Sequence, residues 1–141
     1  MTTIEAIIER ATDGTYSIYC EKEIFSGAGD TLFEAQADLL RQMEFYKKTA
    51  LEEGFKYPSY LDEEYTISYK VDMPSLLKYY VEAGIFSLAG VSKLSGINQK
   101  QLWSYINGTK PRKAQAQRLE QGFRSLTADL DTLFPTKTVT G

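Results

Sequence analysis

Apolar and polar positions alternate from Thr2 to Arg10, with Ile4, Ala6 and Ile8 on one side and Glu5 and Glu9 on the other. A period of two predicts a half-buried strand. Thr12-Asp13-Gly14 then reads as a tight hairpin turn, Asp-Gly supplying the positive φ angles such a turn uses. Tyr16, Ile18 and Cys20 alternate with Ser17 and Tyr19 and predict the partner strand. A short third strand is expected around Ile24 to Gly27, running into a sharp turn at Gly27-Ala28-Gly29-Asp30. At Thr31 the period lengthens: Leu32, Ala35, Leu39, Met43, Tyr46 and Ala50 recur at helical spacing and line one face. Thr31 and Glu34 form an S/T-x-x-E capping box, and Gly54 and Pro58 end the helical pattern. Tyr65, Ile67, Tyr69 and Val71, alternating with Thr66, Ser68 and Lys70, predict a further half-buried strand. The order is β-β-β-α-β, with the helix laid across one face of a small sheet.

The rest of the chain reads as helices. Met73-Pro74-Ser75 opens one whose apolar face is Leu76, Leu77, Tyr80 and Val81, ending near Gly84. Ser87 caps a second, Leu88 to Ser95, which Gly96 breaks; Asn98 caps a third, Gln99 to Ile106, which stops at Asn107-Gly108. Apolar residues at 91, 94, 97, 102 and 105 point to one shared core, with Ser92 and Ser95 small where two helices cross. The last helix, about Lys113 to Leu133, carries Ala116, Leu119, Phe123, Leu126 and Leu130 at helical spacing. Leu126, Leu130 and Leu133 exceed what packing against the preceding helices uses, so they are assigned to a dimer contact. The fold class expected is α+β: a β-β-β-α-β unit over residues 1–72, an all-α unit over 73–134, and a frayed tail over 135–141.

Composition narrows the chemistry. The 141 residues are 43% hydrophobic and 25% charged, an ordinary globular balance. No run of about 18 apolar residues occurs, so no membrane partner is expected. The start lacks the basic-then-apolar pattern of a secretory signal, and the lone Cys20 cannot form an internal disulfide; a reducing, cytoplasmic location is expected. Histidine is absent, which removes Ser-His and Cys-His pairs, His-ligated zinc and imidazole acid-base chemistry. Asp30, Glu34 and Asp38 could sit near one another on the first helical turns, and carboxylate clusters bind Mg²⁺. Acidic residues in a first helical turn also cap amides and complement the helix dipole, which accounts for them without a metal. No catalytic residue, no metal and no cofactor is therefore expected.

Charge divides the chain. Residues 1–74 hold 7 Lys/Arg against 15 Asp/Glu, a balance of −8, whereas residues 75–128 hold 8 against 2, a balance of +6. Such a split suits two partners of opposite sign, although charge alone is also compatible with two solvated faces. Gly96 between two short helices, small residues around it and local positive charge together match a DNA-binding helix-turn-helix, in which the second helix enters the major groove. Lys110, Arg112 and Lys113 crowd the loop before the last helix, where phosphate contacts are expected.

Residues 75–128 resemble the Cro/C1-type (Xre-like) helix-turn-helix family, through Gly96, Ile97, Leu102 and the closing Asn107-Gly108-Thr109-Lys110. The resemblance implies that Gln99, Lys100 and Ser104 face base edges, with Asn98 at the backbone or a thymine methyl. Gln pairs bidentately with adenine and Lys with guanine O6/N7, so these roles are chemically sound. Ser104 is shorter than the family's usual residue. Trp103 departs from the polar residue common there and is expected against the sugar-phosphate backbone or in an oligomer interface. Residues 2–72 resemble the HicB family of antitoxins through Gly27-Ala28-Gly29-Asp30-Thr31 and the following Glu34-Ala35. That resemblance implies a degenerate ribonuclease-H-like fold without activity, a small basic HicA-type mRNA-cleaving toxin as partner, and repression of the shared operon by a homodimer or higher homo-oligomer on double-stranded operator DNA. Two rival expectations remain: a stand-alone repressor whose N-terminal half senses a ligand or mediates assembly, and a metal-dependent nuclease using Asp30 and Asp38.

Overall fold

The computed structural model describes residues Met1–Phe134; the tail expected over 135–141 lies outside the described residues. The class is α+β, with four strands and five α-helices among the described residues. Strands β1 (Thr2–Arg10), β2 (Tyr16–Cys20) and β3 (Ser26–Gly29) precede helix α1 (Leu32–Glu53), and β4 (Tyr65–Val71) follows it. The sheet order is β3-β2-β1-β4, antiparallel except that β4 runs parallel to β1. A single helical crossover thus carries the chain from one edge of the sheet to the other. Helices α2 (Met73–Glu82), α3 (Leu88–Ser95), α4 (Gln99–Ile106) and α5 (Lys113–Leu133) complete the chain.

Two compact units result, Met1–Tyr79 and a second beginning at Tyr80. The division falls inside α2, not at the 72/73 boundary read from the sequence, because the first turns of α2 are bonded to the sheet. Asp72, not singled out in the sequence, caps α2: its Oδ2 accepts from Ser75 N at 3.1 Å. Ser75 Oγ in turn accepts from Arg10 N at 3.0 Å. The Arg10 guanidinium lies over the Tyr16 ring, 4.4 Å from its centroid, and over the Tyr79 ring, 4.1 Å from its centroid, a cation–π contact with each.

The core of the first unit contains the predicted strand and helix residues, joined by Phe25, Tyr60 and Leu61, which the sequence did not single out. Ile4, Ala6, Ile8, Ile18 and Cys20 from the sheet pack with Phe25 and with Ala35, Leu39 and Met43 of α1. Register explains the pattern: Ile8 pairs Ile18, which pairs Gly27, so all three lie on the face under α1. Three local readings change. The hairpin is not of the double-positive-φ type, since within it only Gly14 (φ 93°) has positive φ, and no non-glycine among the described residues does. Gly14 N donates to Ala11 O and Ala11 N to Thr15 O, both at 2.9 Å, giving a three-residue loop closed by Gly14, with Asp13 Oδ1 accepting from Thr15 N and Oγ1. Strand β3 lies two residues later than expected and contains Gly27 and Gly29 instead of ending at them, while Ile24 is exposed. Val71, expected on the half-buried face, is exposed at the end of β4.

The two glycines of β3 are there for proximity. A Cβ on Gly27 would meet Leu39 N at 2.4 Å and Ala35 O at 2.6 Å; one on Gly29 would meet Ala35 N at 2.6 Å. Helix α1 therefore rests backbone on backbone against the edge strand. The carboxylates of α1 serve the same contact. Asp38 Oδ2 accepts from Ala28 N at 2.9 Å, and Glu34 Oε2 from Asp30 N at 3.1 Å, one residue before the amide a capping box uses. Thr31 Oγ1 accepts from Glu34 N at 3.1 Å as predicted. The Ala28 N–H, helped by Arg41, holds the Asp38 carboxyl below its ordinary range. No helix among the described residues is long and apolar enough to cross a membrane.

Because the neighbours of the missing Gly27 Cβ are backbone atoms of a packed helix, Gly27→Ala cannot be relieved by a rotamer change. Its expected cost is about 3 kcal/mol, the top of the ordinary overpacking range. Urea unfolding of the variant beside the parent chain measures it; a loss below about 1 kcal/mol would show that α1 lifts freely off β3.

Candidate nucleic-acid interface

The second unit is assembled around a turn. Ser87 Oγ accepts from Gly90 N at 3.0 Å and starts α3; Gly96, in the left-handed region at φ 73°, ends it with its N–H on Ser92 O at 2.8 Å. Only glycine takes that conformation without Cβ strain, so the turn is set in the sequence. Asn98 Oδ1 then accepts from Gln101 N at 2.8 Å and starts α4 three residues after α3 has ended. Val91, Ile97, Leu102 and Tyr105 are buried and Leu94 is half-buried, the expected core set, and Leu119 of α5 closes it.

Four features that brace the turn were not read from the sequence. The close crossing is made by α3 with α5 at Gly122, where a Cβ would meet Leu94 O at 2.8 Å, and not by Ser92 and Ser95. Ser95 instead donates Oγ–H to Val91 O at 2.7 Å and accepts from Ile97 N, tying the end of α3 to the turn. Arg118 of α5 donates from Nη2 to Gly96 O at 3.2 Å and from Nη1 to Gln115 Oε1. Phe86 stacks on Phe123 with centroids 5.6 Å apart and also touches Tyr80. A small residue such as Gly122 at the helical spacing of Leu119 and Leu126 was the available signal for the crossing.

With Leu102 and Tyr105 facing inward, α4 turns Gln99, Lys100 and Trp103 outward. At 3.6 residues per turn these three span about 100° of arc, with Trp103 in the middle. All three are exposed, as is Asn98, and the Trp103 indole is 59% accessible. Ser104 sits at the flank and is half-buried; its hydroxyl donates to Gln101 O at 2.6 Å and accepts from Gln101 Nε2 at 3.3 Å. Gln101, absent from the sequence reading, thus occupies the hydrogen-bonding capacity that Ser104 offers.

Lys110, Arg112 and Lys113 are exposed and make no ion pair among the described residues. They gather at the start of α5, whose N-cap Arg112 makes no side-chain capping bond and whose first turn holds no acidic residue. Three cations at the positive end of a helix dipole repel it and one another, and an anion there relieves both. By contrast Arg118 and Arg124 are engaged within the unit, the latter with Glu120 at 3.7 Å. Further along α5, Leu130 and Leu133 are exposed at 44% and 65% and Leu126 is half-buried, so the apolar stripe outruns its cover.

Elsewhere, a groove of about 590 Å³ runs along the β3 edge of the first unit, lined by Tyr19, Phe25, Phe45, Tyr46 and Phe55 with Asp38. Among the described residues no three His, Cys, Asp or Glu side chains converge as metal ligands do. Asp30, Glu34 and Asp38 are spread along the β3–α1 contact, the last two already accepting backbone amides.

The Asn98 cap sets where α4 begins and which side chains its first turn presents. Asn98→Ala is expected to lower stability by about 1 kcal/mol, read from the denaturation midpoint, with loss of amide protection confined to the first turn of α4.

No family model matches the chain, and no curated protein and no solved structure matches it either.

Proposed function

We propose that this chain is a DNA-binding repressor of the HicB type, an antitoxin that neutralises a small basic mRNA-cleaving toxin and represses the operon encoding both. The observation that carries the DNA-reading half is the outward face of α4: Gln99, Lys100 and Trp103 lie exposed on a helix whose opposite side is locked into the core by Leu102 and Tyr105. In this reading α3 and α4 are the helix-turn-helix, α4 enters the major groove, and Gln99 and Lys100 read base edges. Trp103 lies along the sugar-phosphate wall, Asn98 near the first phosphate, and Lys110, Arg112 and Lys113 hold phosphates. Ser104 contributes little, because Gln101 consumes its hydroxyl. Pairing through Leu126, Leu130 and Leu133 gives a dimer with two reading helices about 34 Å apart, one per half-site.

The antitoxin half of the proposal is supported by the HicB-like Gly27-Ala28-Gly29-Asp30-Thr31 segment and by the −8 balance of residues 1–74, which draws a basic partner. The first unit acts by binding and not by catalysis. A stand-alone repressor is the second reading, favoured by the aromatic-lined groove at β3, whose volume suits a small ligand. Co-expression separates the two: a toxin encoded by the adjacent reading frame is silenced by this chain under the first and unaffected under the second.

Gln99→Ala and Lys100→Ala are each expected to weaken binding to the operator upstream of this gene by about 1–3 kcal/mol, with little change on random duplex, in fluorescence-anisotropy titrations. Equal losses on both duplexes would remove their base-reading role. Replacing Arg112 and Lys113 together by Ala is expected to weaken both duplexes alike and to reduce the slope of log affinity against log salt by about 2. An unchanged slope would dissociate the start of α5 from the phosphates.

A further inference from the structure

The sheet has two edges, and the chain treats them differently. Strand β3 is four residues long, contains two glycines, and has its outward Ala28 amide covered by Asp38, with Asp30 beyond it covered by Glu34. Strand β4 is seven residues long and reads Tyr-Thr-Ile-Ser-Tyr-Lys-Val, with neither proline nor glycine. Asp72 N donates to Ile8 O at 2.8 Å, so the peptide groups of Thr66, Ser68 and Lys70 turn toward β1 by strand alternation. Those of Tyr65, Ile67, Tyr69 and Val71 turn outward, and no side chain among the described residues caps them as Asp38 caps Ala28. An uncapped edge of this length and composition is a template for another strand.

We infer that β4 pairs antiparallel with β4 of a second copy of this chain, about a two-fold axis through Ser68, joining two four-stranded sheets into one of eight. The sequence of β4 is complementary to itself in this register. Ile67 lies opposite Tyr69 of the second copy and Tyr65 opposite Val71, aromatic and β-branched pairs on the face that carries the core. Outward peptide groups meet outward peptide groups in both pairs, which hydrogen-bonded pairing requires. On the other face Thr66 stands opposite Lys70, and Lys70, the one charge in the strand, is diagonal to Glu64 of the second copy. Within its own chain Lys70 reaches Glu5 only loosely, at 3.9 Å with both side chains largely exposed. Asp72 would stand opposite Glu64, but its carboxylate is turned to the Ser75 amide. Association of this kind is isologous and closes at two copies through this edge. It uses none of the residues of α4 or α5 and stands independently of the DNA-binding reading.

The register gives a direct test. Ser68 and its counterpart form a non-hydrogen-bonded pair with Cα atoms about 4.5 Å apart, within disulfide reach, whereas the two Thr66 residues are separated by four steps, about 13 Å. Cys20 is buried, and burial raises its thiol pKa, so it stays silent as the background thiol. Under mild oxidation the full-length Ser68→Cys chain is expected to run mostly as a covalent dimer on non-reducing gels, and Thr66→Cys as monomer. Adding Val71→Pro, which removes an outward N–H that the isolated strand does not use at a position whose side chain is exposed, is expected to cut the Ser68→Cys dimer severalfold while leaving the circular dichroism unchanged. The crosslink is further expected to survive Leu130→Asp/Leu133→Asp, which breaks the α5 stripe. No crosslink at Ser68, equal crosslinking at Thr66, undiminished crosslinking with Val71→Pro, or disappearance with the α5 stripe would each overturn the pairing.

Discussion

In each unit a helix is laid against neighbouring backbone at a distance that leaves no space for a Cβ. Helix α1 meets β3 at Gly27, and α5 meets α3 at Gly122, with the missing atom 2.4 and 2.8 Å from backbone neighbours. These two contacts govern what the rest of the molecule can present. With α1 drawn down onto β3, its acidic side chains come within reach of the edge amides and finish that edge. With α3 clamped by α5, the Gly96 turn has a fixed base, and the Arg118 guanidinium on Gly96 O holds it. The direction of α4 follows from that base.

Apolar and charged groups are then divided by how fully each is used inside the chain. Leu102 and Tyr105 bind α4 to the core, leaving the arc of Gln99, Trp103 and Lys100 without an internal task. Among basic residues, Arg10, Arg41, Lys47 and Arg118 have defined partners within the chain. Lys110, Arg112 and Lys113 instead sit where the helix dipole opposes them. A folded chain gains nothing from cations at that position. The first unit shows the converse arrangement, with acidic groups bonded to amides along one edge and the opposite edge left bare.

Much of the architecture was legible in the residues. Alternation fixed β1, β2 and β4, and the caps at Thr31, Ser87 and Asn98 fixed three helix starts, because a side chain that satisfies an amide two or three residues on is a local matter. Gly96 was legible as a turn for the same reason. The position of β3 was not, since Gly27 and Gly29 look alike whether they bend the chain or admit a helix. Gly122 shares that ambiguity, since its spacing from Leu119 and Leu126 puts it on the packed face without saying which helix it admits, and the Gln101–Ser104 bond was hidden because it depends on rotamers that sequence does not specify.

The sequence by itself therefore determined which elements form, the division of charge and, β3 and Val71 excepted, the ends and inward faces of those elements, all of which arise from interactions spanning a few residues. Only the tertiary structure decided which glycines carry close approach, which carboxylates are spent on backbone amides, and which strand edge is left open. Those outcomes depend on atoms far apart in the chain being brought within about 3 Å of one another, the range at which hydrogen bonding and steric exclusion act.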